Sequence, residues 1–265
     1  MTELDHDTIQ NACILIDGAA FDAPQFVYEH DDQPELEYLY LGTPHDGALE
    51  VSPCLVKPSP MSRIWEEQAQ WREHAVVLIS KENLGVVANH LRSLLSVQLP
   101  DGGYSYLRFY SPKQFQRLMG ALTDLECNRF SGPIKTWVSF QGGEVWHWKK
   151  ADGTGRYREA SDEGWLVLTE HHLDALSAAA RDEFINKLAR FLGVEDDGRL
   201  NDLVREAREL GIRTEKDVSR YAELAVVYGA RVKNPEIQAI LSAPERTAKM
   251  RLNEVDKRLA YGVAS

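Results

Sequence analysis

Ala75-Val76-Val77-Leu78-Ile79 has no polar side chain at either parity of a strand, and it limits the possible folds more than any other stretch of this sequence. Successive strand side chains point to opposite faces, so such a run needs a sheet covered on both sides. Helices or loops must therefore pack above and below it. After Ser80, the residues Leu84, Val87, Ala88, Leu91 and Leu95 recur at helical spacing and form one apolar stripe.

Further strands are expected around this pair. Cys13-Ile14-Leu15-Ile16 stops at Asp17-Gly18, Leu36 to Leu41 alternates up to Gly42, and Val51 to Val56 is interrupted by Pro53, as an edge or irregular strand would be. Tyr104 to Tyr110 reads as an aromatic strand. Ser111-Pro112-Lys113-Gln114 then signals a helix start: the Ser hydroxyl is placed to accept the Gln114 amide hydrogen, Pro112 presets φ, and the helix should run to about Leu125. After Ser131-Gly132-Pro133, the segments Thr136 to Phe140 and Glu144 to Trp148 flank Gln141-Gly142-Gly143 as a hairpin. A second turn at Asp152-Gly153-Thr154-Gly155 would lead to a third strand at Arg156 to Glu159.

From Thr169 the pattern becomes helical. Leu173, Leu176, Ala180, Phe184, Leu188 and Phe191 form a stripe closed by Gly193, a second helix covers Leu200 to Leu210, and Thr214 caps a third that ends at Gly229. Pro235 and Pro244 are expected to start two more. The expected fold class is an α/β (α+β) amino-terminal lobe with a mixed sheet, residues 1–165, followed by an all-α lobe, residues 166–265.

Charge narrows the function. Net charge over the 265 residues is −11, and residues 1–56 hold 12 acids with no Lys or Arg. A nucleic-acid binder needs clustered cations to displace counterions from phosphates, so DNA and RNA are not expected partners. Three separated cysteines, Cys13, Cys54 and Cys127, match neither a disulfide framework nor a zinc-ligand spacing. Met1 to Asp7 lacks the basic start and apolar stretch of a secretion signal, and no run of about 18 apolar residues occurs. A cytoplasmic protein with reduced thiols and no membrane insertion is expected.

Catalytic patterns are sparse. Glu170-His171-His172-x-Asp174 is the densest set of metal-ligand types, but adjacent His side chains diverge on a helix, so no metal site is expected. Gly153-x-Gly155 is a turn and no dinucleotide fingerprint, and no cofactor is implied. Asp17 suits either a catalytic carboxylate or an Asx-turn acceptor. His90 and Arg92 lie two apart on a helix and face different ways. Arg108, on an aromatic strand, needs a carboxylate partner if it points inward, and Asp17 is the candidate. Trp137, Trp146, Trp148 and Trp165 concentrate around the hairpin, as interface anchors or as internal packing.

Seven segments in order resemble a known family, the bacterial type VI secretion effector adaptors. They are Ile14-Leu15-Ile16-Asp17-Gly18-Ala19, Leu39-Tyr40-Leu41-Gly42, Ser52-Pro53-Cys54-Leu55-Val56, Val77-Leu78-Ile79-Ser80, His90-Leu91-Arg92-x-Leu94-Leu95, Leu107-Arg108-Phe109-Tyr110-Ser111-Pro112 and Phe130-Ser131-Gly132-Pro133-Ile134. Ser111 stands where the family usually has Asp; both residue types cap helices, which argues for a structural role. Cys54 stands where an aromatic residue is common. The resemblance implies a non-enzymatic chaperone or adaptor that binds one cognate toxic effector and promotes its loading on the valine-glycine-repeat spike protein. It implies a mainly structural signature at Asp17, Gly18, His90, Arg92, Arg108, Tyr110, Ser111, Pro112, Gly132 and Pro133. Composition adds Trp146, Trp148 and Arg158 as candidate partner anchors. The alternative is a small-molecule enzyme in which Asp17, His90 and Arg108 converge on a pocket.

Overall fold

The computed structural model describes residues 10–151, 156–195 and 198–261. The chain separates into two compact units, one up to Ser177 and the other from Ala178. The first contains strands β1 (Ala12–Ile16), β2 (Glu35–Tyr38), β3 (Cys54–Lys57), β4 (Ala75–Ser80), β5 (Ser96–Gln98), β6 (Tyr104–Tyr106), β7 (Ile134–Gln141) and β8 (Glu144–Lys149). Its helices are α1 (Ala23–His30), α2 (Gln68–Trp71), α3 (Leu84–Arg92), α4 (Pro112–Ala121) and α5 (Asp124–Ser131). Helix α6 (Glu170–Leu192) contains the boundary, and α7 (Arg199–Glu209), α8 (Glu215–Tyr228), α9 (Pro235–Leu241) and α10 (Ala248–Tyr261) follow. The expected class is present: a sheet-and-helix region over residues 12–149, then an all-helical region.

Six strands form one sheet in the order β2-β3-β1-β4-β7-β8. The apolar run at β4 lies inside it, covered on both sides as its pattern demands. On one face Leu15, Leu55, Val76, Leu78 and Trp137 share a core with residues of α3, α4 and α5. On the other, Ile14, Ile16, Val56, Val77 and Val138 share one with residues of α1 and Trp71 of α2. Trp71 and Trp137 are fully buried, and each indole N–H donates, to the Ile64 carbonyl at 2.8 Å and to Ser131 Oγ at 2.9 Å. A buried tryptophan whose polar atom is satisfied contributes its apolar area without a desolvation penalty.

The structure corrects several details. Every ladder of the six-stranded sheet is antiparallel, and parallel pairing is confined to an isolated bridge between Gln98 and Val167. The reason lies after α3: the chain does not cross over to a new parallel strand but enters the separate β5–β6 ribbon. The aromatic strand therefore ends at Tyr106. Phe109 and Tyr110 are consecutive and both buried, which a half-covered strand does not allow. Residues 156–159 form no strand, and the turn expected at residues 152–155 lies outside the described residues.

Helix placement also differs in two places. The helix expected to reach Leu125 stops at Ala121, because Leu122 is extended and Thr123 caps α5 in a reciprocal box with Glu126. The last helix starts at Ala248, not at Pro244, with the Met250 N–H donating to Thr247 Oγ1 at 3.3 Å.

In the helical unit Leu188, Leu203, Val204, Tyr221, Leu241, Leu252 and Val255 form the core. Arg251 is buried within it and donates to the carbonyls of Leu210, at 2.7 Å, and Leu241. Those carbonyls lie where α7 and α9 end, so the cation meets the negative ends of two helix dipoles.

Candidate functional site

β1 delivers Asp17 to the end of the sheet, where its N–H donates to the His74 carbonyl at 2.9 Å. The carboxylate accepts the Ala19 N–H at 3.2 Å through Oδ1 and Arg108 Nη2 at 2.7 Å through Oδ2. Asp17 is thus both the Asx-turn acceptor and the ion-pair partner that its position suggested. Its side chain is 4% exposed against 49% for Arg108, so the buried charge belongs to the acid. Gly18 is dictated by space: a Cβ there would lie 2.1 Å from the Ser52 carbonyl oxygen.

Ser52 Oγ in turn accepts the Tyr40 N–H at 3.0 Å. The Tyr40 hydroxyl meets those of Tyr106 and Tyr110, the latter at 3.2 Å, and Tyr106 and Tyr110 are 2.7 Å apart. Burial raises the pKa of both Tyr106 and Tyr110 and keeps the hydroxyls neutral; the bonds to Tyr110 and Tyr40 add to the rise at Tyr106, whereas at Tyr110 the bond to Tyr106 opposes it and the bond to Tyr40 adds to it. Sequence reasoning missed this cluster beyond Tyr110, because a separation of 66 positions between Tyr40 and Tyr106 leaves no local signal. Beside Gly18 an open cleft of about 670 Å³ is lined by Ala20, Asp22, Tyr38, Leu41 and Glu50, with no Lys or Arg in its wall.

His90 lies elsewhere and is fully buried. Its Nε2 is 2.7 Å from the Phe130 carbonyl, and its Nδ1 accepts the Arg158 N–H at 3.1 Å. An accepting Nδ1 puts the proton on Nε2, so the ring is a neutral bridge between two backbone segments. Burial pushes its pKa down to about 4, despite the bond to Phe130. Gly132 packs against the ring: a Cβ there would lie 2.4 Å from His90 Cε1, and φ of +49° disfavours a side chain in any case. Neither ring nitrogen is left for chemistry, and among the described residues no hydrogen bond or ion pair links His90 to Asp17 or Arg108. Of the three residues of the enzymatic alternative, Asp17 and Arg108 are joined and His90 has other partners.

The remaining signature residues also hold backbone. Arg92 donates to Glu37 Oε2 at 2.8 Å and to the Tyr38 carbonyl at 3.0 Å, tying α3 to β2. Pro112 opens α4 as expected, and the Ser111 carbonyl accepts the Phe115 N–H at 2.8 Å. The Ser111 hydroxyl makes no capping bond, contrary to the reading of that motif; extended backbone and carbonyl alone supply the cap. The Pro133 carbonyl accepts Ser80 Oγ at 2.9 Å. His172 is buried, takes the Thr169 N–H on Nδ1 at 3.1 Å and faces Glu126 at 3.3 Å on Nε2. Among the described residues no three His, Cys, Asp or Glu side chains are grouped to hold a metal. Of the composition-based anchors, Arg158 lies 4.9 Å from the Trp165 ring, and Trp146 and Trp148 are half-buried on β8.

Comparison with known proteins finds one family and one curated relative. Residues 14–129 match the family described as a domain of unknown function, DUF4123. The match covers less than half of the chain. The domain spans β1 to α5 and so includes the Asp17–Arg108 pair, the tyrosine cluster, the acidic cleft and His90. The chain is also similar to accessory protein VasW of Vibrio cholerae serotype O1, with 29% identity over 107 residues, 40% of this chain and 36% of VasW. The matched part is thus little more than a third of that relative's length. No solved structure matches the chain. No helix among the described residues is long and apolar enough to cross a membrane.

Proposed function

We propose that the chain is a cytoplasmic, non-enzymatic chaperone that binds one cognate toxic effector and promotes its loading on the valine-glycine-repeat spike protein. The observation that carries this reading is the use of polar groups in the adaptor domain. Asp17, His90, Arg92 and Arg108 each tie together segments distant in the sequence through hydrogen bonds or an ion pair. A scaffold of that kind leaves its surface for a polypeptide.

The cleft beside Gly18 is the client-facing surface in this reading. Leu41 is 52% exposed at its wall, and the cleft's carboxylates are Asp22 and Glu50. A client segment with an apolar side chain next to a Lys or Arg fits that lining, by burial and charge together. The test is co-purification with the neighbouring gene's product, followed by delivery assays in cells lacking the chain. A stable complex, lost in Asp22→Arg/Glu50→Arg, and a toxin that no longer reaches the spike are expected. A toxin delivered equally well without the chain overturns the reading.

A further inference from the structure

The two edges of the main sheet are treated differently. At β2, Arg92 covers the Tyr38 carbonyl. At β8 the Lys150 N–H donates to the Lys135 carbonyl at 2.9 Å, which sets the phase of the β7–β8 ladder. Even-numbered residues bond inward to β7, and Val145, His147 and Lys149 turn their N–H and C=O groups outward. Among the described residues no backbone group pairs with these, and all three residues are exposed. An edge strand in this condition is a template for another strand.

We propose that two copies of this chain pair through β8, antiparallel about a two-fold axis at His147, so that one sheet continues across the dimer. Self-complementarity selects the partner and the register. Only outward-bonding residues can pair by hydrogen bonds, so His147 lies opposite the partner's His147, and Val145 opposite the partner's Lys149. That alignment sets Trp146 against the partner's Trp148, twice, on the face these rings already share with Phe115, whose ring is 5.6 Å from Trp146. It also sets Glu144 against the partner's Lys150. The Lys150 ammonium donates to the Gly132 carbonyl and keeps two further donors for that carboxylate.

Slipping the register by two residues loses this match. One slip puts Glu144 opposite Trp148, and the other puts His147 opposite Lys149, so neither pairs opposite charges. The contact is independent of the effector-binding reading, since it uses neither the cleft nor a client. Six residues of edge cover less than the ~1,200 Å² of a standard interface, so the dimer exchanges with monomer at micromolar protein.

The test uses the full chain, with light scattering coupled to gel filtration and with cysteine cross-linking. Cys13, Cys54 and Cys127 are all buried, so a cysteine introduced on β8 is the reactive one. Mass rising with protein concentration is expected. In His147→Pro the dimer should be lost while the circular dichroism spectrum stays unchanged, because that N–H has no partner within the chain. Glu144→Lys should weaken dimerisation about tenfold, as two opposite-charge pairs become like-charge pairs. On mild oxidation His147→Cys should give a disulfide-linked dimer. Val145→Cys should not, since four residues of strand, ~13 Å, separate it from its own copy.

A mass that stays monomeric at several hundred micromolar overturns the proposal. Cross-linking by Val145→Cys instead of His147→Cys overturns the register. Cross-linking of His147→Cys only to a co-expressed client assigns the edge to a different polypeptide and also overturns it.

Discussion

Gly132→Ala against Gly120→Ala separates a glycine required by its surroundings from one that is merely present. At Gly132, φ is +49° and ψ −112°, outside the regions a side chain tolerates, which costs about 1–3 kcal/mol. The new methyl would lie 2.4–2.7 Å from three atoms of the His90 ring. The ring has to move, and it then loses at least one of its bonds to Phe130 and Arg158; a buried polar group left unpaired costs about 1–3 kcal/mol. Together these give about 2–6 kcal/mol. Gly120, near the end of α4, has nothing within 4 Å of an added Cβ, so alanine there gains about 0.5–1 kcal/mol of helix propensity.

All six tryptophans lie between Trp65 and Trp165, so their fluorescence in urea follows the first unit alone. With about 2–4 °C per kcal/mol, Gly132→Ala should lower the melting temperature of that unit by about 4–24 °C, and Gly120→Ala should leave it level or slightly higher. Two variants that melt within about 2 °C of each other would refute the packing of His90 on Gly132.

Three further outcomes are expected. The unfolded chain protonates His90 near its ordinary value of 6.5 whereas the folded chain resists until about 4, so stability falls as pH drops through that window, by about 3 kcal/mol in all; urea titrations at pH 7.5 and pH 5 should show the loss, and the additional drop should be absent in His90→Gln. Arg108→Ala strands the buried Asp17 carboxylate, whereas Asp17→Asn leaves a half-exposed guanidinium that water can solvate, so the first should destabilise more, by about 1–2 kcal/mol; equal losses in urea would contradict the burial asymmetry. Arg251→Met removes the donor shared by the Leu210 and Leu241 carbonyls, and should lower the helical unit's transition in far-ultraviolet circular dichroism by about 2–4 kcal/mol while tryptophan fluorescence is unmoved; a shift in both signals would place Arg251's effect in the wrong unit.

Much of this protein was legible locally. The β4 run demanded a doubly covered sheet, Gln141-Gly142-Gly143 marked the β7–β8 turn, where both glycines have positive φ, and Pro112 opened α4. Thr123-x-x-Glu126 was equally readable as a capping box and would have divided the helix at Leu122. These features are set by neighbours within a few residues, where sterics and hydrogen-bond reach act without help from the rest of the chain. The Asp17–Arg108 pair was foreseeable only because a buried charge must find its opposite.

What tertiary structure alone decided is set by contacts across long sequence separations. The departure of Tyr104–Tyr106 into its own ribbon, the tyrosine hydroxyl cluster, the acidic cleft and the pinning of Arg158 on His90, 68 residues away, are of this kind. Composition and periodicity state which side chains must be buried or satisfied, but the partner is chosen by which segments the sheet order makes neighbours. The open edge of β8 belongs with them, because a strand's pattern says which face is apolar and not whether another strand lies alongside.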